Sequence, residues 1–119
     1  DDEATIVVTY PDAQAIIQAS WNWPIGRKDM EVYGTRGYVM TDNRSVIRTR
    51  VSEEAKESTQ SLPELASPMN DPFSYLKALI EHRVQPSRYD PSSLENNMLV
   101  MEILDAAKRS AQQGKTIRL

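Results

Sequence analysis

The chain has no cysteine, and among its 119 residues there is one histidine, one phenylalanine and only four glycines. Without cysteine there is no disulfide framework, no thiolate nucleophile and no zinc site of the cysteine type. A single histidine, His82, leaves little material for a metal centre or a histidine-based triad. Four scattered glycines do not make a G-x-G-x-x-G phosphate cradle. No run of ~18 apolar residues exists, so no segment reads as a membrane span. The net charge of −3 argues against a nucleic acid or an anionic membrane as partner. No signal peptide is visible. A length of 119 residues corresponds to about one domain with one core.

The positive signals are periodic. Thr5 to Tyr10 is rich in β-branched residues and reads as a strand, and Pro11-Asp12 as a turn. Ala13, Ala15, Ile17, Ala19, Trp21 and Trp23 then alternate with Gln14, Gln18, Ser20 and Asn22, with Ile16 the exception. That period of two predicts a strand with one apolar and one polar face, as in an antiparallel sheet. Pro24-Ile25-Gly26 ends it. Strands are also expected at Asp29 to Tyr33, Tyr38 to Thr41 and Ser45 to Val51, with turns at Gly34 to Gly37 and Asp42-Asn43. Five adjacent strands joined by short turns make a meander. Residues 52–70 turn polar and read as a flexible surface loop.

Two helices follow. Asp71-Pro72 is an N-cap followed by proline at the first helical position, and Phe73, Leu76, Ile80 and Val84 form an apolar stripe that Gln85-Pro86 ends. Ser92 and Glu95 have capping-box spacing. Leu94, Met98, Met101, Leu104 and Ala111 recur at helical spacing, widened by Val100, Ile103 and Ala107. Gly114 is placed to end this helix in the left-handed conformation, and Thr116 to Leu119 reads as a final strand rejoining the sheet edge. The expected fold class is α+β: a mainly antiparallel sheet, a meander, with two helices packed on one face.

Each candidate for chemistry has a plainer reading beside it. His82 is a potential base or ligand, but a solvent-facing residue at a helix C-terminus accounts for it. Gly34-Thr35-Arg36-Gly37 has the spacing of a nucleic-acid clamp, yet its flanks are strands, which favours a hairpin turn using positive φ. Glu53, Glu54 and Glu57 lie in a polar loop with no apolar pocket to tune them and read as solvated charge. Arg27, Lys28, Arg36, Arg44, Arg48 and Arg50, with Asp29, Glu31 and Asp42 among them, read as a mixed solvated sheet face. A self-complementary interface is the sharper alternative, to which Gln14, Gln18 and Ser20 would lend hydrogen bonds. Phe73 is expected in the core, and Met98 and Met101 as core fillers. Tyr75, off the stripe, is expected exposed or against a partner. Both tryptophans fall in Trp21-Asn22-Trp23-Pro24. Trp21 shares the apolar face and reads as core, whereas Trp23 reads equally as core or as a stacking surface.

Several of these segments together resemble the Gfo/Idh/MocA family of nicotinamide-dependent oxidoreductases. The residues concerned are Ser92, Leu94, Asn97, Met101-Glu102-Ile103-Leu104, Ala106-Ala107, Ser110-Ala111 and Gly114-Lys115, preceded in order by Ala15 to Trp21, Glu31 to Gly37 and Asp71-Pro72-Phe73. The resemblance spans nearly the whole chain and is to the latter part of the family's C-terminal domain. It implies that residues 1–119 form the substrate-side and dimerisation portion of an oxidoreductase acting on a sugar or cyclitol by hydride transfer, or of an NAD-dependent glycosidase. It implies a Rossmann domain upstream in the same chain, holding NAD or NADP and the catalytic lysine, and a homo-oligomer formed through the sheet's open face. The family's catalytic aspartate and histidine also lie upstream, so no catalytic and no cofactor-binding residue is assigned here. A first residue Asp1 suits an excised piece, not competent alone. By resemblance, the loop after the second strand approaches the substrate, which makes Asn22, Trp23, Arg27 and Lys28 the candidate substrate-binding residues. A cytoplasmic setting is expected, with an exported parent as the other option. The reading from a different class is a stand-alone module for self-association or small-ligand binding, with no enzymatic activity.

Overall fold

The structure, a computed structural model, describes residues 2–42 and 45–119. The turn expected at Asp42-Asn43 and the cation Arg44 therefore fall, wholly or in part, outside the described residues. Six strands and two helices are present among them: β1 (Glu3–Thr9), β2 (Gln14–Ser20), β3 (Met30–Tyr33), β4 (Tyr38–Asp42), β5 (Val46–Arg50), β6 (Ser58–Ser61), α1 (Pro72–Ile80) and α2 (Leu94–Gln113). All strand pairs are antiparallel, so the α+β class holds. The meander is interrupted, however. β1 and β2 form one hairpin, while β3-β4-β5-β6 form a separate four-stranded sheet. The physical reason lies in the connection. Pro24 has no N–H to donate to a ladder, and β3 does not begin until Met30, so the chain leaves β2 without turning directly back onto it.

The hairpin register sets Val7 opposite Ile16 and Thr5 opposite Gln18, with a Pro11-Asp12 turn closed by Tyr10 N–H donating to Ala13 O at 2.8 Å. In the larger sheet Tyr33 faces Tyr38, Met40 faces Arg48 and Tyr38 faces Arg50. Alternation then sorts the sheet. Glu31, Tyr33, Tyr38, Met40, Asp42, Arg48 and Arg50 share a polar and aromatic face, and Met30, Val32, Val39, Thr41, Ile47 and Thr49 share an apolar one. Strand β6 lies inside the polar stretch 52–70 and pairs with β5 through backbone bonds, Arg48 opposite Thr59.

The two glycines of the β3–β4 turn do not take positive φ, which among glycines belongs to Gly114 alone within the described residues. Their roles differ. Gly34 N–H donates to Gly37 O at 2.8 Å across the turn, whereas a Cβ on Gly37 would lie 1.9 Å from Arg50 O. Gly37 is required by the close approach of β5, not by torsion.

Helix α1 starts as expected, with Asp71 capping the Ser74 N–H at 2.7 Å and Pro72 opening the helix. It ends earlier, at Ile80, and His82 just beyond it takes φ 56° on the solvent side. Helix α2 is capped by Ser93 rather than Ser92, its hydroxyl accepting from Asn96 N–H at 3.2 Å. Gly114 ends it with φ 62°. Thr116 to Leu119 forms no strand. The turn there closes instead on α2, with Ser110 Oγ donating to Lys115 O at 2.7 Å.

Burial falls on the side of α1 opposite its apolar stripe, and in α2 on the Ile103–Ala107 side rather than the Leu94–Met98–Met101 side. Ala78 and Ala106 are the buried apolar residues among those described, and Ser74, Tyr75, Ile103, Ala107 and Ser110 are half-buried. Phe73 is 80% exposed, and Leu76, Ile80, Leu94, Met98 and Met101 are exposed as well, contrary to their expected core placement. No strand residue among those described is fully buried, so neither sheet is sealed by a helix. The arrangement is open, with a radius of gyration of 17.7 Å where a compact chain of this length has about 13.5 Å.

Candidate functional site

The segment from Trp21 to Asp29 joins the two sheets and carries all four candidate substrate residues. Trp21 N–H makes the last hairpin bond, to Asp2 O at 2.8 Å, and its indole is 88% exposed rather than in a core. The alternation that assigned it to the apolar face stops being informative where the ladder stops. Asn22 is drawn toward the hairpin's polar side. Its N–H donates to Ser20 Oγ at 3.0 Å and its side-chain amide to Glu3 Oε1 at 3.5 Å, while Ser20 Oγ donates to the same carboxylate at 3.2 Å. Trp23 is 39% exposed and lines a shallow hollow of about 180 Å³ with Glu3, Thr5, Gln18 and Ser20. It lies against a polar wall, with part of the ring still open.

Past Pro24 the chain forms a second, larger hollow of about 420 Å³, lined by Ile25, Gly26, Arg27, Lys28, Asp29 and Asp42. Arg27 Nε donates to Asp29 Oδ2 at 2.7 Å, and this bond raises the guanidinium pKa above its ordinary value. Asp42 is engaged from the other side by Arg48 Nε at 2.8 Å. Arg27 and Lys28 therefore share one hollow and Trp23 lines the other, with Asn22 tethered to Glu3 and Ser20 of that second wall. The two hollows have no lining residue in common.

A third arrangement escaped the sequence reading. On the polar face of the larger sheet, the Tyr33 and Tyr38 rings stand 5.9 Å apart at 51°. Tyr33 donates its hydroxyl to Glu31 at 3.0 Å, and Tyr38 donates to Glu57 at 2.6 Å. Each bond to a carboxylate raises the phenol's pKa, so both tyrosines stay protonated donors and neither acts as a base near neutrality. Arg48 bridges Asp42 and Glu57, at 2.8 and 3.4 Å, and is held protonated chiefly by Asp42. Glu57 is thus a structural partner and not solvated charge like its neighbours in the loop. The alternation of Glu31 and Tyr33 with Val32 was a visible hint of this face. Glu57 was not, because nothing local marks a loop carboxylate as a cross-sheet acceptor.

Elsewhere, Asp90 is buried and accepts from Tyr75 Oη and from Ser92 N–H, the latter at 2.8 Å. The Tyr75 bond is the main reason its pKa lies below the usual carboxylate range. Tyr75, expected exposed or against a partner, instead ties α1 to the lead-in of α2. No group of histidine, cysteine or carboxylate side chains among the described residues could hold a metal ion. No helix among them is long and apolar enough to cross a membrane.

The glycines test the fit to a dinucleotide. Gly34 and Gly37 sit between strands, Gly114 ends a helix, and Gly26 lies in the inter-sheet connection. No glycine among the described residues lies at a strand-to-helix turn, so they do not form a pyrophosphate cradle.

The family model described as "Oxidoreductase family, C-terminal alpha/beta domain", that of the Gfo/Idh/MocA proteins, matches residues 1–119. No curated protein and no solved structure matches the chain.

Proposed function

The chain belongs to the Gfo/Idh/MocA oxidoreductase family through its C-terminal alpha/beta domain, and we propose that it forms the substrate-side and self-association portion of an NAD(P)-dependent oxidoreductase acting on a sugar or cyclitol. The nicotinamide cofactor and the groups that move protons belong, on this reading, to an N-terminal Rossmann domain of the parent protein. The chain's own residues bind and orient. The parent is taken to work in the cytoplasm.

The observation that supports this reading is the composition and exposure of the inter-sheet segment. Between Trp21 and Asp29 the chain offers a half-open indole, a side-chain amide and two adjacent cations beside two hollows. Aromatic faces stack on the C–H faces of sugar rings, while amides and guanidinium groups bond hydroxyls. Asn22, Trp23, Arg27 and Lys28 are the proposed contacts. The polar face of the larger sheet is the proposed surface for a second copy. Its tyrosine–carboxylate and arginine–carboxylate pairs suit a hydrogen-bonded contact more than a dry one.

The test is Trp23→Ala in the parent enzyme, followed by steady-state kinetics. Lost stacking on a remote part of the substrate removes binding common to ground and transition states, so KM rises while kcat holds. An unchanged KM removes Trp23 from the substrate site.

A further inference from the structure

The larger hollow has a charge pattern that narrows the class of ligand. Resting on the substrate-side reading above, we infer that the hollow formed by Ile25, Gly26, Arg27, Lys28, Asp29 and Asp42 binds the carboxylate of an acidic sugar, not a neutral sugar or a phosphorylated one. At about 420 Å³ it falls within the size range of small-molecule sites.

Its two carboxylates are already committed. Asp29 accepts from Arg27 Nε at 2.7 Å, and Asp42 accepts from Arg48 Nε at 2.8 Å. Neither is left to repel an incoming anion at full strength. Arg48, which holds Asp42, also holds Glu57, so with those two included the charges balance. Lys28 is the one cation lining the hollow that has no ion-pair partner among the described residues. One unpaired positive charge matches a carboxylate better than a phosphate dianion, which would bring a second negative charge close to Asp29 and Asp42.

Geometry agrees with charge. Arg27 spends its Nε on Asp29, and its two terminal nitrogens make no hydrogen bond among the described residues. Those nitrogens form a planar edge, fixed in orientation by the Asp29 bond, that suits two-point bonding to a carboxylate. Lys28 adds a compact charge beside it. Ile25 is exposed and gives the ring an apolar contact, and Gly26 presents no side chain to obstruct entry.

The experiment is an amide NMR titration of the protein at constant ionic strength, following residues 25–29. The probes are glucuronate and galacturonate, their neutral counterparts glucose and galactose, and glucose 6-phosphate. Either uronate should shift these amides with a Kd at least about fivefold lower than its neutral sugar, and Lys28→Gln should abolish that difference while leaving amides of the hairpin and helices in place. Equal binding of uronate and neutral sugar overturns the charge assignment and leaves the sugar-site reading standing. Tighter binding of the phosphate overturns the choice of carboxylate. A uronate preference that survives Lys28→Gln overturns the role of Lys28. No response at residues 25–29 to any probe overturns this inference, and the Trp23→Ala kinetics then decide the broader reading on their own.

Discussion

Replacing Gly37 with alanine should be among the more damaging single-methyl additions this chain can receive. The new Cβ would stand 1.9 Å from the carbonyl oxygen of Arg50 and 2.9 Å from both the Arg50 carbonyl carbon and the Val51 Cα. The obstacle is backbone, so no side-chain rotation relieves it, and the chain must retreat by more than 1 Å to restore even a tight contact. Arg50 resists that retreat. It pairs with Tyr38 in the ladder, and its guanidinium donates to Ser52 O at 3.2 Å and to Glu53 O. Overpacking of this kind costs about 3 kcal/mol. With an unfolding entropy near 2 cal/mol/K per residue, that is a fall in Tm of roughly 10 °C for a chain of this length. Gly34→Ala, three residues away in the same turn, is the control. Its Cβ meets only Gly37 O at 3.6 Å, and the residue has no positive φ to protect. That substitution should leave Tm unchanged or raise it slightly, by the equivalent of about 0.5 kcal/mol, through lost freedom of the unfolded chain. Thermal melts of the two variants decide the matter. Equal losses would refute the steric argument and point back to a torsional requirement shared by both glycines.

The helix ends and the Tyr75–Asp90 contact yield further expectations. Ser93→Ala removes the acceptor of the Asn96 N–H and should lower stability by about 1 kcal/mol, read as a shift in denaturant midpoint. Gly114→Ala forces a Cβ into φ 62° and should cost about 1 kcal/mol, with Gly114→Asn less harmful because asparagine tolerates that region. Asp90 has a folded-state pKa below its unfolded value, so its contribution is present above the unfolded carboxylate range, near pH 4, and is lost as pH falls through the folded value. Asp71, held down by its bonds to Ser74, has the same sign. Stability followed by helix circular dichroism should therefore be flat from neutrality to about pH 4 and fall below it. Asp90→Asn should be less stable at neutral pH and show a shallower acid fall. An unaltered acid profile in that variant would remove Asp90 from the account.

Signals that act over three or four residues were legible in the sequence. The Asp71–Pro72 start, the Gly114 stop and the Pro11-Asp12 turn each depend on local backbone chemistry, and each stands where it was expected. The alternation in β2 was equally plain, because period two needs no knowledge of the partner strand. What failed to show was anything decided by a distant segment. Strand β6 reads Ser-Thr-Gln-Ser, with no apolar alternation, and is a strand only because β5 offers it an edge. Gly37 was identified as structural for the wrong reason, since the crowding comes from Arg50. Tyr75 found its acceptor fifteen residues away. The four proposed substrate residues lie in one segment, but its division into two hollows was not legible in the sequence. Only the geometry separates Trp23, on the hairpin's polar wall, from the Arg27–Lys28 hollow beyond Pro24.

The two faces of the larger sheet ask for different partners. The polar face is internally satisfied: its phenols and Arg48 have carboxylate partners and Arg50 bonds backbone carbonyls, so burying it gains little and must meet the desolvation cost of its ion pairs. The apolar face carries Met30, Val32 and Val39, all exposed, and both helices turn an apolar stripe outward as well. The chain exposes 10836 Å², where a compact protein of its size exposes about 6,500 Å². The excess, roughly 4,000 Å², is more than twice the whole area of a standard protein–protein interface, about 1,600 Å². A second copy meeting this one on the polar face would therefore leave most of the excess untouched, and would cover the wrong chemistry. Pairing of two copies through the polar face, as proposed, would therefore be a separate event from hydrophobic burial, on the opposite side of the sheet. Burial of the apolar face would supply most of the stability, whereas a contact on the polar face would chiefly set specificity and register, because its groups are polar and already paired.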